Sequence, residues 1–141
     1  MKPTAPVDKA LLEDALQTVF AQWVRLLDLR VLEARDGEVV LALPVVPRLV
    51  HGGGVLCGQA MMAAADTAMV LAISSRLGGF RPMTTVQLQT SFLRPIAGDG
   101  GEARLVARVL RLGKSLVFGE IELLDAAGRL AAHATTTYAL L

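Results

Sequence analysis

Val55-Leu56-Cys57-Gly58-Gln59-Ala60-Met61-Met62-Ala63-Ala64-Ala65-Asp66-Thr67-Ala68-Met69-Val70-Leu71-Ala72-Ile73 is apolar around its whole circumference. A helix of that kind is either buried inside a protein or placed in a membrane. The run is long enough to span a bilayer. Asp66 at its centre, the glycines Gly52-Gly53-Gly54 just before it and the strand-like segments after it favour a buried helix gripped by a sheet. Asp66 is the only charged side chain between Gly52 and Ser75. Burying a carboxylate is costly, and an acid kept in apolar surroundings is a candidate functional group.

Outward from this helix, the segments alternate at other periods. Upstream, Asp8 can cap a short amphipathic helix that runs to about Trp23, with Leu11, Leu12, Ala15, Leu16 and Val19 on one face. Val31–Arg35 and Glu38–Leu43 flank Asp36-Gly37, a two-residue hairpin signal. Pro44 and Pro47 end the second strand and open a loop that carries Arg48 and His51.

Downstream, Thr84–Leu93 alternates, with Val86, Leu88 and Phe92 in one phase and Thr85, Gln87, Gln89 and Ser91 in the other. Three more alternating segments follow, separated by turns at 98–101, at Gly113-Lys114 and at Asp125–Gly128. Turns this short favour antiparallel neighbours. The expected fold is α+β, one antiparallel sheet wrapped around one long central helix, in a single domain over residues 1–141 with a flexible leader at 1–6.

Composition narrows the function. The chain has 141 residues, enough for one core. Fourteen Lys and Arg against thirteen Asp and Glu give a net charge of +1, with no basic stripe and few, scattered aromatics, so nucleic-acid binding is not expected. The one cysteine, Cys57, excludes an internal disulfide and a Cys-based zinc site and suits a reducing, cytoplasmic compartment. Hydrophobic residues make up 53% of so small a chain, which points to an oligomer.

A glycine-rich loop opening a helix leaves backbone N–H groups at a positive dipole end, able to hold a developing oxyanion. Gly58 permits close approach of a ligand to that backbone. Asp66, on roughly the same helical stripe as Gln59 and Met62, lies about 12 Å further along by helical rise. Gly58 and Asp66 of one chain are therefore too far apart to act on one carbonyl. A two-fold dimer with neighbouring helices would bring Gly58 of one chain to Asp66 of the other.

The Gly58-Gln59-Ala60 helix start with Asp66-Thr67-Ala68 resembles the hotdog-fold thioesterases of the phenylacetate-pathway (PaaI) type. So do Thr84-Thr85-Val86-Gln87-Leu88, Ser91-Phe92-Leu93-Arg94-Pro95, Arg111-Leu112-Gly113-Lys114-Ser115 and Gly128-Arg129-Leu130-Ala131-Ala132-His133-Ala134. The resemblance covers about residues 20–141 in consistent order. It implies an acyl-CoA substrate, no cofactor, no metal, and a homodimer or dimer of dimers. It makes Gly58 the oxyanion glycine and Asp66 the nucleophile or general base.

Cys57 stands where relatives carry His, and His51 where many carry an Asn that orients water or substrate. Thr85 matches a Ser or Thr beside the acid. Gln59 is expected to contact substrate or a neighbouring strand, and Met62 to line an acyl pocket or the core. Arg94, Lys114 and Ser115 match positions near the nucleotide end of coenzyme A. A non-catalytic hotdog scaffold that binds acyl-CoA or lipid is the rival reading, motivated by Cys57 and His51.

Overall fold

The computed structural model of the chain describes residues 8–99 and 101–141, so the expected leader at 1–6 and Gly100 of one turn lie outside the described residues. Helices α1 (Lys9–Thr18) and α2 (Gln22–Arg25) precede strands β1 (Arg30–Arg35) and β2 (Glu38–Pro44). The long helix α3 (Gly58–Leu77) follows, then β3 (Met83–Phe92), β4 (Glu102–Leu112), β5 (Leu116–Leu124) and β6 (Leu130–Leu140). The six strands form one antiparallel sheet in the order β1-β2-β4-β5-β6-β3. The sheet curls around α3, and the core lies between them.

Asp8 caps α1 by accepting from the Ala10 N–H at 2.9 Å, and Leu12, Ala15 and Leu16 are buried at helical spacing. The helix stops at Thr18 instead of reaching Trp23. The Arg25 guanidinium folds back onto the carbonyls of Phe20 (2.8 Å) and Thr18 (3.1 Å). A cation there satisfies acceptors that a helix end leaves open and complements its dipole. The chain then restarts as the single turn α2.

Helix α3 begins at Gly58, three residues later than the sequence implies, because Val55 and Leu56 are bridged to Ala97 and Val50 as extended chain. It ends at Gly78, which takes φ 80° in the left-handed region that favours glycine. Its C-terminal end is tied to the β1–β2 hairpin: the Gly37 N–H donates to Ser75 Oγ (2.9 Å), and Arg76 pairs with Asp36 (2.6 Å). Met69, Leu71, Ala72 and Ile73 have no exposure, so burial accounts for the apolar run.

Gly119 on β5 packs directly against Met69 of α3. A Cβ there would lie 2.3 Å from Met69 Cε and 2.8 Å from the Arg108 carbonyl oxygen. Gly119→Ala should therefore destabilise the fold by about 1–3 kcal/mol, read as a lower urea midpoint with unchanged slope.

Strand β3 departs from regular alternation. Its pairing with β6 skips Val86, which forms a bulge between Thr85 (opposite Tyr138) and Gln87 (opposite Thr137). The phase expected from sequence holds only beyond the bulge. Val86 is 60% exposed, whereas Met83, Leu88 and Phe92 turn toward α3 or the core. An extra residue shifts side-chain parity by one, so Thr85 joins the helix-facing side together with Leu88.

Candidate active site

The acid on α3 is the centre of the site. Asp66 is half-buried, and its Oδ1 accepts from Thr85 Oγ1 at 2.9 Å. The Tyr138 hydroxyl, from β6, makes a short hydrogen bond to the same Oδ1 and lies 2.9 Å from the Asp66 backbone oxygen. Oδ2 accepts from none of the described residues and is not among their buried unpartnered atoms, so it faces open space. Two neutral hydroxyls thus fix one oxygen and leave the other available.

Tyr138 is 2% exposed. Burial first, and the adjacent Asp66 charge second, raise its pKa well above the ordinary phenol value, so it stays a protonated donor.

The space before Asp66 is a cavity of about 330 Å³. Its walls include Phe20, Trp23, Phe80, Met83, Val70 and Tyr138. Four of the chain's six aromatic residues therefore converge here, although they are scattered along the sequence. An apolar chamber with one oriented carboxylate and two hydroxyls has the make-up of a small-molecule site. It can receive an apolar group and present a nucleophile or base to its polar end.

Gly58 opens elsewhere. It lines a separate cavity of about 340 Å³ with Met61, Phe92, Leu93 and Arg94. A Cβ on Gly58 would meet the Phe92 ring at 3.3 Å. Within one chain Gly58 and Asp66 are not brought together, in keeping with the helical rise.

Of the other expected site residues, Cys57 and Gln59 line a third hollow, also about 340 Å³, with Ala60 and Trp23. Cys57 is the N-cap of α3 without a side-chain capping bond. His51 is exposed and lines none of the three cavities; its Nδ1 accepts from the Gly53 N–H at 2.8 Å, closing its own turn. The glycines 52–54 thus form a turn set apart from the helix start by extended residues 55–57. Met62 is half-buried, and Lys114 and Ser115 are exposed at the β4–β5 turn; none of these lines the three cavities. Among the described residues no cluster of three His, Cys, Asp or Glu side chains is placed to hold a metal.

Tyr138 is the residue beside Asp66 that sequence reasoning missed. The signal was present: alternation puts it on the inward face of β6 with Ala132 and Ala134. A buried phenol needs a partner, and α3 offers one carboxylate before its last turn.

Comparison with known proteins gives a consistent family. The family model of the thioesterase superfamily matches residues 50–132. A protein of Thermoplasma volcanium named "putative esterase" is 33% identical over 114 residues, 75% of this chain and 77% of that one. One of the same name from Saccharolobus solfataricus is 30% identical over 130 residues, 90% and 91% of the two chains. Among solved structures, a conserved protein of Pseudomonas aeruginosa superposes with TM-score 0.80 at 30% identity, over 89% of this chain and 98% of that one. The E. coli PaaI protein of the phenylacetic acid degradation operon superposes with TM-score 0.76 at 20% identity, over 93% and 96%. A Streptococcus pneumoniae hypothetical thioesterase solved with coenzyme A gives 0.73 at 18% identity, over 80% and 85%. The last two are likenesses of fold, and that fold is the hotdog: an antiparallel sheet wrapped around one long helix.

Proposed function

This chain belongs to the thioesterase superfamily, and from that premise we propose that it is a cytoplasmic acyl-CoA thioesterase with its active site shared between two subunits. The observation that carries this reading is Asp66 Oδ2, presented to an apolar chamber while Oδ1 is held by Thr85 and Tyr138. The substrate is the thioester of a short or medium aliphatic, or an aryl, acid. The Gly58 N–H would polarise the thioester carbonyl. Asp66 would then attack the carbonyl carbon, expelling the thiolate and leaving an anhydride that water cleaves, or it would take a proton from the attacking water. Both routes need only this chain's residues, and neither calls for a cofactor.

Topology supports the shared site. Strand β3 is an edge of the sheet, paired on one side with β6. Val86, Phe92 and Leu93 stand 60%, 51% and 58% exposed along it. Asp66 sits against the start of β3 through Thr85, and Gly58 against its end through Phe92. Pairing two such edges antiparallel about a two-fold axis lays the start of one on the end of the other. Asp66 of one subunit then faces Gly58 of its partner, and Arg94, beside Gly58, offers charge to the phosphates of coenzyme A. A dimer of dimers is compatible with the same pairing. Sedimentation should find a dimer or larger; a stable, active monomer would remove the shared site.

The test of function is turnover of a panel of acyl-CoAs, with free thiol release as the readout. The rival reading, a hotdog protein that binds acyl-CoA without cleaving it, rests on Cys57 at the helix start and on the His51 ring being engaged in its own turn. It predicts saturable binding of acyl-CoA with no thiol released.

Tyr138→Phe removes one of the two donors to Asp66 while keeping the ring. A hydrogen bond to a charged group contributes about 1.5–3 kcal/mol, so kcat should fall roughly tenfold to a hundredfold. KM should be nearly constant, since phenylalanine keeps the ring that lines the chamber and loses only the hydroxyl that orients the acid. A kcat within twofold of wild type would show that Thr85 alone suffices.

A further inference from the structure

We propose that Trp23 partitions one long acyl groove, and that the apolar hollow beyond it receives the far end of an extended acyl tail. The inference rests on the thioesterase reading and deepens it by naming what limits substrate length.

The Asp66 chamber and the hollow beside Cys57 share one lining residue, Trp23. Their floors belong to the same helix. Ala63, Thr67 and Val70 lie under the first and Cys57 and Ala60 under the second. Spacings of three and four put these residues on one stripe of α3. Ala60 and Ala63 are under one turn apart, about 4.5 Å of rise, so the two spaces lie end to end. Alanine at both positions keeps the floor low where the partition stands. Trp23 itself is 62% exposed on the one-turn α2. A large ring is thus spent on the surface between two hollows and not in the core.

The chemistry of the hollow selects the occupant. Leu26, Leu27 and Leu49 dominate it, and its one cation, Arg48, is already engaged with Asp28 (3.0 Å) and the Leu26 carbonyl. The amides of a pantetheine arm would find few partners there and would be penalised by burial. A hydrocarbon tail meets no such penalty. With the partition in place, the chamber of about 330 Å³ suits a compact acyl or aryl group; the hollow adds a comparable space.

The experiment compares wild type with Trp23→Ala and Trp23→Phe on acyl-CoAs from butanoyl to hexadecanoyl. In wild type kcat/KM should rise with length and then level off. In Trp23→Ala the rise should continue, by up to about fourfold per added methylene buried, with Trp23→Phe intermediate. Leu49→Trp, which fills the hollow, should cut activity on the longest chains selectively. Identical length profiles in all four proteins would overturn the proposal. So would a change only in the preference for CoA over N-acetylcysteamine thioesters, which would put the pantetheine arm in the hollow.

Trp23 is the chain's single tryptophan, and its fluorescence gives a readout that needs no turnover. A non-hydrolysable dodecyl thioether of CoA should shift its emission to the blue more than the butyl thioether does. That shift without hydrolysis of any thioester would sustain the groove and sink the enzymatic reading. Hydrolysis of long acyl-CoAs with equal shifts from both thioethers would sink the groove alone.

Discussion

Asp66→Asn should abolish most thioester turnover, lowering kcat by roughly a hundredfold or more, while the protein remains as stable as wild type. The geometry makes this substitution clean. An amide oxygen at Oδ1 still accepts from Thr85 and Tyr138, so the side chain keeps its place. What is lost is the nucleophilic or basic oxygen facing the chamber. Asp66→Ala should lose the same activity with a different stability. It leaves Tyr138 its bond to the residue-66 backbone oxygen at 2.9 Å but removes the carboxylate oxygen to which Thr85 donates, a loss of about 0.5–1.5 kcal/mol. The pair of variants thus separates chemistry from architecture, with Asn silent in thermal denaturation and Ala lowering the midpoint. Near-normal turnover in Asp66→Asn would take this residue out of the mechanism.

The second large effect belongs to Gly58. Gly58→Val should lower kcat by about a hundredfold or more, the usual cost of losing one oxyanion donor. The added side chain has nowhere easy to go: its first carbon already meets the Phe92 ring at 3.3 Å. The informative experiment mixes Gly58→Val with Asp66→Ala. Each alone has two damaged sites per dimer. After subunit exchange, half the dimers are mixed, and in each of these one site has both halves intact. Recovery should approach about a quarter of wild-type activity for a two-fold arrangement. Demonstrated exchange with no recovery would mean that each site is built within a single chain.

The architecture was legible because it rests on periodicity. The apolar run with one acid at its centre and strand-like segments after it reads as a helix enclosed by a sheet. The short turns make β4, β5 and β6 successive antiparallel neighbours; the turn at 98–101 does not do the same for β3 and β4, since β3 pairs with β6 instead. Asp66 stood out for the same reason, as one charge where the pattern has none. What periodicity cannot carry is a change of phase. The bulge at Val86 leaves no mark in composition, yet it decides that Thr85 meets Asp66. The helix start was misplaced because glycines 52–54 resemble a helix entrance, whereas the bridges of Val55 and Leu56 to distant residues hold the chain extended. The aromatic walls of the chamber come from α1–α2, the α3–β3 turn and β6, so no linear window contains them.

The strand order bears on how the molecule is made. Among the described residues, strand β3 pairs within the sheet only with β6, yet β3 ends at Phe92 and β6 begins at Leu130. On the ribosome, β3 must emerge well before the strand that will hold it. Through that interval both of its edges are bare, and the oily helix just ahead of it lacks the sheet that later encloses it. Such waiting segments are where nascent chains cling to one another. The polar side chains of β3, Thr84, Gln87, Gln89 and Ser91 among them, read as protection for that delay. The same late arrival delivers Tyr138 to Asp66. Closing the sheet and orienting the acid are therefore one event in biogenesis, so a chain stalled short of β6 is exposed to aggregation while Asp66 still lacks its Tyr138 donor.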